Sequence, residues 1–224
     1  TVEYLQTYKG ADDGFEWFGG TVNAKYLVSS GSEDDSFDWT DGWVGKGQFW
    51  VAIQDQTVPG SDGTANGDCL IEADNREDNF ANTPFSNPTL SNLTLIGNND
   101  TNKQKRGIRL RAGTRVKLYN TLVVGKPNSV TTATTETEQG FVDGESIIEY
   151  LWADKGFTYE NETELALDTK TGNAINQEIK FKDDYIGIVD GGADLSETDD
   201  FFTKAMYKGA VSESDDWTEG WVKK

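Results

Sequence analysis

The nine residues DDGFEWFGG, Asp12 to Gly20, return 22 positions later as DDSFDWTDG, Asp34 to Gly42. Register holds at Asp12/Asp34, Asp13/Asp35, Phe15/Phe37, Glu16/Asp38, Trp17/Trp39 and Gly20/Gly42, and Tyr4-Leu5 recurs at the same spacing as Tyr26-Leu27. A fixed short period restricts architecture strongly, because each copy must bury its apolar face against the next. Fainter copies put Ile71-Glu72-Ala73 and Ile108-Arg109-Leu110 in the same slots, and a second strand family pairs Leu90 with Leu118, Asn92 with Asn120 and Gly97 with Gly125. Within each copy apolar and polar residues alternate, the mark of a strand with one dry face. A helical solenoid needs apolar residues at i, i+3, i+4 and i+7, which these copies lack. Short strands with turn residues at the corners predict an all-β parallel solenoid, a β-helix with loop insertions. A β-sandwich is the nearest competitor, since it also uses short strands and regular turns.

At 224 residues the chain suits one structural unit with a real core. Its 39 acidic and 20 basic residues leave a formal charge of −19, so most of the surface repels a phosphate backbone and no nucleic-acid partner is expected. There is no histidine, which removes the usual general base and the commonest zinc ligand. The single Cys69 excludes an internal disulfide or a paired-cysteine metal site. No run approaches about 18 apolar residues, and TVEYLQTYKG lacks the basic and apolar regions of a signal peptide, so neither a membrane span nor a leader is expected.

Rungs of the solenoid are expected over residues 1–125, with loops at Asp55 to Asn66, Asn75 to Asn87 and Asn98 to Lys105. Residues 126–224 are expected to form a mixed, partly helical flank packed on the solenoid. There the stretch TTATTETEQ reads as irregular low complexity. Ile148, Leu151 and Trp152, at i, i+3 and i+4, predict a short amphipathic helix over Glu145 to Asp154. Ser196 with Asp199 resembles a helix cap before DDFFTKAMYKG, where Phe202, Ala205 and Met206 share a face.

Stacked copies bring Glu16, Asp38, Glu72 and Arg109 into one outward column, with neighbours about 4.8 Å apart. Three like charges at that spacing repel unless compensated. Solvent can screen them as a plain acidic face, Arg109 can offset one end, or calcium can bridge two carboxylates. The corner pairs Asp12-Asp13 and Asp34-Asp35 are a second calcium candidate, since oxygen-only ligands select hard cations. Ordinary turn chemistry, with the carboxylates accepting backbone N–H bonds, competes with it. Phe15, Trp17, Phe37 and Trp39 are expected inside. Trp43 and Trp50, placed on the outer face, would give a platform for a sugar ring. Trp217 and Trp221 are expected to clamp the end of the chain. Lys103, Lys105, Arg106, Arg109, Arg111, Arg115 and Lys117 gather seven of the 20 basic residues, which are expected to neutralise the neighbouring acids, with an anion site as the alternative. Asn92 above Asn120 suggests an amide ladder.

The segments DDGFEWFGGTVNAKYLV, DDSFDWTDGW, IEADN and DDWTEGW (Asp215 to Trp221) together resemble a group of secreted or surface-exposed right-handed β-helix proteins of Bacteroidetes-type bacteria. The resemblance covers about 1–125 and 201–221. It implies right-handed coiling, an extracellular or outer-surface location in a Gram-negative bacterium, and further rungs and a secretion signal ahead of the first motif. It carries no catalytic residues across. The function expected is therefore non-enzymatic: an acidic, aromatic-bearing face presented to a glycan, a partner protein or the cell envelope. The rival is an extracellular polysaccharide lyase or glycosidase using Glu16, Asp38, Glu72 and Arg109, with calcium. Exposed rings without a cleft favour the first; carboxylates held protonated in a cleft favour the second.

Overall fold

The alternating segments settle into two parallel ladders. The computed structural model describes residues 1–55, 67–99, 101–102, 105–161 and 165–223. One six-stranded sheet stacks β1 (Val2–Tyr8), β3 (Ala24–Ser30), β5 (Lys46–Ile53), β7 (Thr89–Ile96), β9 (Lys117–Val124) and β11 (Ile147–Ala153) in that order. The other stacks β2 (Phe15–Phe18), β4 (Phe37–Thr40), β6 (Ile71–Ala73), β8 (Arg106–Leu110), β10 (Asn128–Thr132) and β12 (Phe157–Tyr159). Every neighbouring pair is parallel, so the chain visits the two sheets alternately and climbs one rung per turn, as a right-handed parallel β-helix. Phe15 pairs with Phe37, Glu16 with Asp38 and Trp17 with Trp39, the register the repeat dictates.

The first sheet carries a bulge in every rung. Its pairing runs Val2 to Ala24 and Glu3 to Lys25, then resumes at Leu5 to Leu27, leaving one residue out. The residues left out are Tyr4, Tyr26, Phe49, Asn92, Asn120 and Tyr150, each at a φ from 54° to 59°. One extra residue reverses the alternation midway, so inward positions fall at i, i+3 and i+5, as at Leu90, Leu93 and Leu95 or Ile148, Leu151 and Ala153. This corrects the helix expected over Glu145 to Asp154: a bulged strand imitates the first turn of an amphipathic helix.

Between the sheets lies an aromatic core at the first rungs and an aliphatic one beyond. Trp17 stacks on Trp43 at 4.7 Å and on Trp50 at 5.0 Å, and Phe15 on Phe37 at 5.7 Å. Trp43 and Trp50 are therefore interior residues, fully buried, and not an outer platform. Glycines make the space: a Cβ on Gly45 would meet the Trp43 indole at 2.4 Å, and one on Gly47 would meet the Trp50 ring at 2.4 Å. Each indole N–H finds a carbonyl, Trp43 on Val22 at 3.1 Å and Trp50 on Ala24 at 3.0 Å, so burial leaves no donor unpaired.

The ladders continue past residue 125. The threonine-rich stretch is ordered: it supplies the end of β10 and then α1 (Thr135–Val142). β-branched threonines suit a strand, and Thr132 donates to a Glu138 carboxylate oxygen at 3.0 Å, tying the strand to the helix. A hairpin of β13 (Gly187–Asp190) and β14 (Tyr207–Val211) lies against β5, β7 and β9 on the outside of the first sheet. Val28, Val51, Tyr185, Ile186, Ala210 and Val211 form the apolar layer between them. Residues 199–206 turn without forming the expected helix. Their backbone is held from the sheet instead: Gln48 bonds Thr203 through both amide atoms at 2.7 and 2.8 Å, and Asn92 donates to Ala205 and Tyr207 carbonyls at 3.2 and 2.7 Å. Asn120 donates to the Ala193 carbonyl at 2.9 Å and accepts from the Ala193 N–H at 2.8 Å. Asn92 and Asn120 thus serve as fasteners for this segment, with Gln48 and Ser91 as their neighbours in the sheet. Trp217 and Trp221 close over Tyr26 and Tyr4, at 5.2 and 6.0 Å. Among the described residues no helix is long and apolar enough to cross a membrane. The expected loop at Asp55 to Asn66 falls, beyond Asp55, outside the described residues, as does Lys103.

Candidate functional site

The outer face of the second sheet carries the predicted column. Glu16 pairs with Asp38, Asp38 with Glu72 and Glu72 with Arg109, and the column continues to Thr131 and Thr158. Alternation dictates this: Phe15, Phe37, Ile71 and Ile108 face inward, so the next residue on each strand faces out. A second outward column runs alongside through Asp74 and Arg111, two residues further along.

Charge is unevenly shared along the face. At its fourth rung Arg109 reaches Glu72 at 2.8 Å, while Arg111 reaches Asp74 at 2.8 Å, Glu72 at 2.7 Å and Glu77 at 2.8 Å. Nearby, Lys105 pairs with Asp68 at 3.0 Å and Arg106 with Glu160 at 3.3 Å. Lys105, Arg106, Arg109 and Arg111 of the basic cluster are therefore each paired with acids of adjoining rungs. Glu16 and Asp38 have no ion-pair partner among the described residues. A carboxylate oxygen of each, and one of Asp13, lie within 4.8 Å of one another.

Burial first, and like charges second, raise these acids. Burial, then the charges of Asp13 and Glu72, pushes Asp38 up to about 8. Burial also raises Asp13 to about 6, opposed by the hydrogen bond its carboxylate accepts from the Asp35 N–H at 3.0 Å. Asp35 goes to about 9, chiefly by burial and then by Glu72, although it accepts the Cys69 N–H. Asp74 stands at about 6, burial outweighing the Arg111 guanidinium.

The corner aspartates divide by role. Asp13 and Asp35 each accept the amide of the next rung, so they tie successive corners together rather than closing their own turns. Asp12 and Asp34 are exposed, and Asp12, Asp13 and Asp34 again bring carboxylate oxygens within 4.8 Å. Both acidic clusters offer oxygen alone, the donor set of a hard cation such as calcium. Sequence reasoning did not single out Asp74 or Glu77. Asp74 was legible in principle as the second outward position after Glu72, matching Arg111 after Arg109. Glu77 lies on the following loop, and no periodicity marks it. Beside the arginines, a hollow of about 550 Å³ is bordered by Glu77, Phe80, Arg109, Arg111 and Glu160.

No curated protein and no solved structure matches the chain. A family profile described as a pectate-lyase-like β-helix domain matches residues 1–222. With ladders, bulges and outward polar column all belonging to one continuous solenoid, the chain is a member of the pectate-lyase-like β-helix family.

Proposed function

We propose that the protein is a non-catalytic, secreted or cell-surface β-helix that binds a glycan along the outer face of its second sheet. The observation that carries this reading is the column Glu16–Asp38–Glu72–Arg109, repeated in register over four rungs on the outer face of the second sheet. Such a ladder repeats its donors and acceptors about every 4.8 Å, which suits a ligand that is itself a repeating chain of hydroxyls. Asp38 adds a protonated carboxyl as donor near neutral pH, and Arg109 and Arg111 are oriented by the acids that hold them. The same pairing argues against elimination chemistry, because both guanidiniums are engaged with carboxylates and neither is poised as a base. Calcium fits the Asp13–Glu16–Asp38 and Asp12–Asp13–Asp34 sets, where it would replace protons on crowded carboxylates and offer open positions to sugar oxygens. An extracellular setting at a Gram-negative surface belongs to the same proposal.

One observation favours a second reading. Asp38, raised to about 8, lies beside Glu16 and Asp13, a set of carboxyls in which one is protonated while another is ionised, as glycoside hydrolysis requires. A glycan array combined with a turnover assay, with and without chelator, separates the two. Binding without product release, weakened at least tenfold in Glu72→Gln and Arg109→Ala, is the expected result. Calcium-dependent cleavage of a polysaccharide would replace it with the enzymatic reading.

A further inference from the structure

The C-terminal flank, residues 185–223, is held together largely by its own contacts. Its hairpin pairs internally, the Tyr185 and Thr218 hydroxyls meet at 2.8 Å, and Trp217 donates to the Ala210 carbonyl at 2.8 Å. The chain leaves the last rung where the Gln177 N–H donates to the Ala153 carbonyl at 2.9 Å, then doubles back so that the flank lies on β5, β7 and β9. A single connection, residues 176–184, joins the two, and it contains neither helix nor strand. Beyond Gln177 its described ion pairs and hydrogen bonds stay within it or go to the flank. Lys180 pairs with Glu178 at 2.9 Å, Lys182 with Glu213 at 3.5 Å, and Lys182 bonds Ile186 through both backbone groups at 2.7 and 2.9 Å.

The surface under the flank recognises main chain. Gln48, Asn92 and Asn120 are buried, stand on three successive rungs of the first sheet, and direct their amides at backbone groups of Ala193, Thr203, Ala205 and Tyr207. Thr94 adds a hydroxyl that accepts the Ala210 N–H at 2.8 Å. At the earlier rungs Lys25 donates to the Thr203 hydroxyl at 3.0 Å, and Lys46 pairs with Asp199.

We propose that two copies of the chain exchange flanks, each laying residues 185–223 on the first sheet of the other, with 176–184 as the hinge. The chemistry of the surface names the occupant: it fits one stretch of polypeptide, and the flank of a second copy offers the identical set of donors, acceptors and apolar side chains. Exchange remakes every bond between flank and sheet, so little is lost beyond the freedom of two separate molecules. Opened out, the nine hinge residues reach about 30 Å. Opening also releases Asp183 and Asp184, non-glycine neighbours held at φ 48° and 74°, from the left-handed region. A strained connection of this kind favours exchange, while the tether keeps a molecule's own flank in place when the protein is dilute. The second sheet takes no part, so the pair carries two acidic columns, and the proposal stands whether or not those columns bind a glycan.

The test mixes isotope-labelled and unlabelled full chain in equal amounts at several hundred micromolar, warms the mixture to just below its melting temperature and cools it. Native mass spectrometry is expected to show a dimer of intermediate mass. The Lys46–Asp199 pair then reports which flank sits on which sheet, because a zero-length carbodiimide joins those two side chains. In the isolated mixed dimer the joined peptides are expected to be one labelled and one unlabelled. Asn120→Ala, which loosens the docking, should speed mixing tenfold or more. Deleting residues 178–180 shortens the hinge by about 10 Å and should make the dimer the main species at micromolar concentration. A wild-type chain that forms no mixed dimer overturns the proposal whatever the deletion variant does. So does a mixed dimer whose Lys46–Asp199 crosslinks all lie within one copy, since the molecules then meet through another face, or a mixing rate indifferent to Asn120→Ala.

Discussion

Trp50 shows how a single side chain fixes the width of the coil. It is fully buried, within 4.8 Å of Phe37 and 5.0 Å of Trp17 between ring centres, and its N–H holds the Ala24 carbonyl of the rung below at 3.0 Å. Trp50→Ala is expected to cost about 3–5 kcal/mol in a denaturant melt, the range for an aromatic removed from a core that cannot collapse. Trp50→Phe keeps a ring in the stack and loses the hydrogen bond, so about 1–3 kcal/mol is expected. A smaller cost for alanine than for phenylalanine would mean the ring is not part of the packing. The inward places of Phe15, Trp17, Phe37 and Trp39 were legible in the sequence, because a repeat with period-two alternation leaves them no other face. Trp43 and Trp50 were misread because they follow a corner and a bulge, where alternation fails. The signal that could have placed them is Gly45, just before the strand, and Gly47 within it: glycine at such positions marks a close approach, and here the neighbour approaching is an indole.

At the scale of elements, the bulge column explains both a misreading and an attachment. Six consecutive strands place one residue each at positive φ, and at Asn92 and Asn120 that residue is also the anchor for the C-terminal segment. Asparagine tolerates this conformation better than other non-glycine residues and brings an amide that both donates and accepts, so one residue type meets two demands. Asn120→Ala is expected to lose about 2–3 kcal/mol, combining strain at φ 54° with the loss of the bonds to Ala193. Hydrogen exchange is the measurement that discriminates. Protection should fall at residues 193–207 while the amides of β7 and β9 stay protected, and uniform loss across the solenoid would contradict a fastening role. Sequence periodicity could not separate strand from helix at Ile148, Leu151 and Trp152, since the bulge at Tyr150 supplies the same i, i+3 step that a helical turn does. The hairpin of β13 and β14 was equally hidden, because its strands pair across some twenty residues and carry no repeat.

At the scale of the whole molecule, the raised carboxyls of the second sheet and its corners make stability depend on pH, with a sign that follows from their shifts. The acidic column was legible because the repeat alone sets its register; the depth of each carboxylate was not, because desolvation depends on rungs distant in sequence. Asp13 and Asp74 stand at about 6, Asp38 at about 8 and Asp35 at about 9. In the unfolded chain an aspartate titrates near 3.9. Between about pH 4 and pH 9 the folded protein therefore holds protons that the unfolded chain has released, and stability must fall as pH rises through that window. Asp194 and Asp199 are shifted the other way, by Ser196 and by Lys46, and their contribution is lost only below the ordinary carboxylate range. The melting temperature should consequently be higher at pH 5 than at pH 8, and Asp38→Asn should flatten the slope. Calcium competes with protons for the same oxygens, so millimolar calcium should raise the melting temperature at pH 8 by more than at pH 5. A protein more stable at pH 8 than at pH 5 without calcium would show that the crowded carboxylates are relieved some other way. A calcium effect equal at both pH values would place the ion away from Asp13, Glu16 and Asp38.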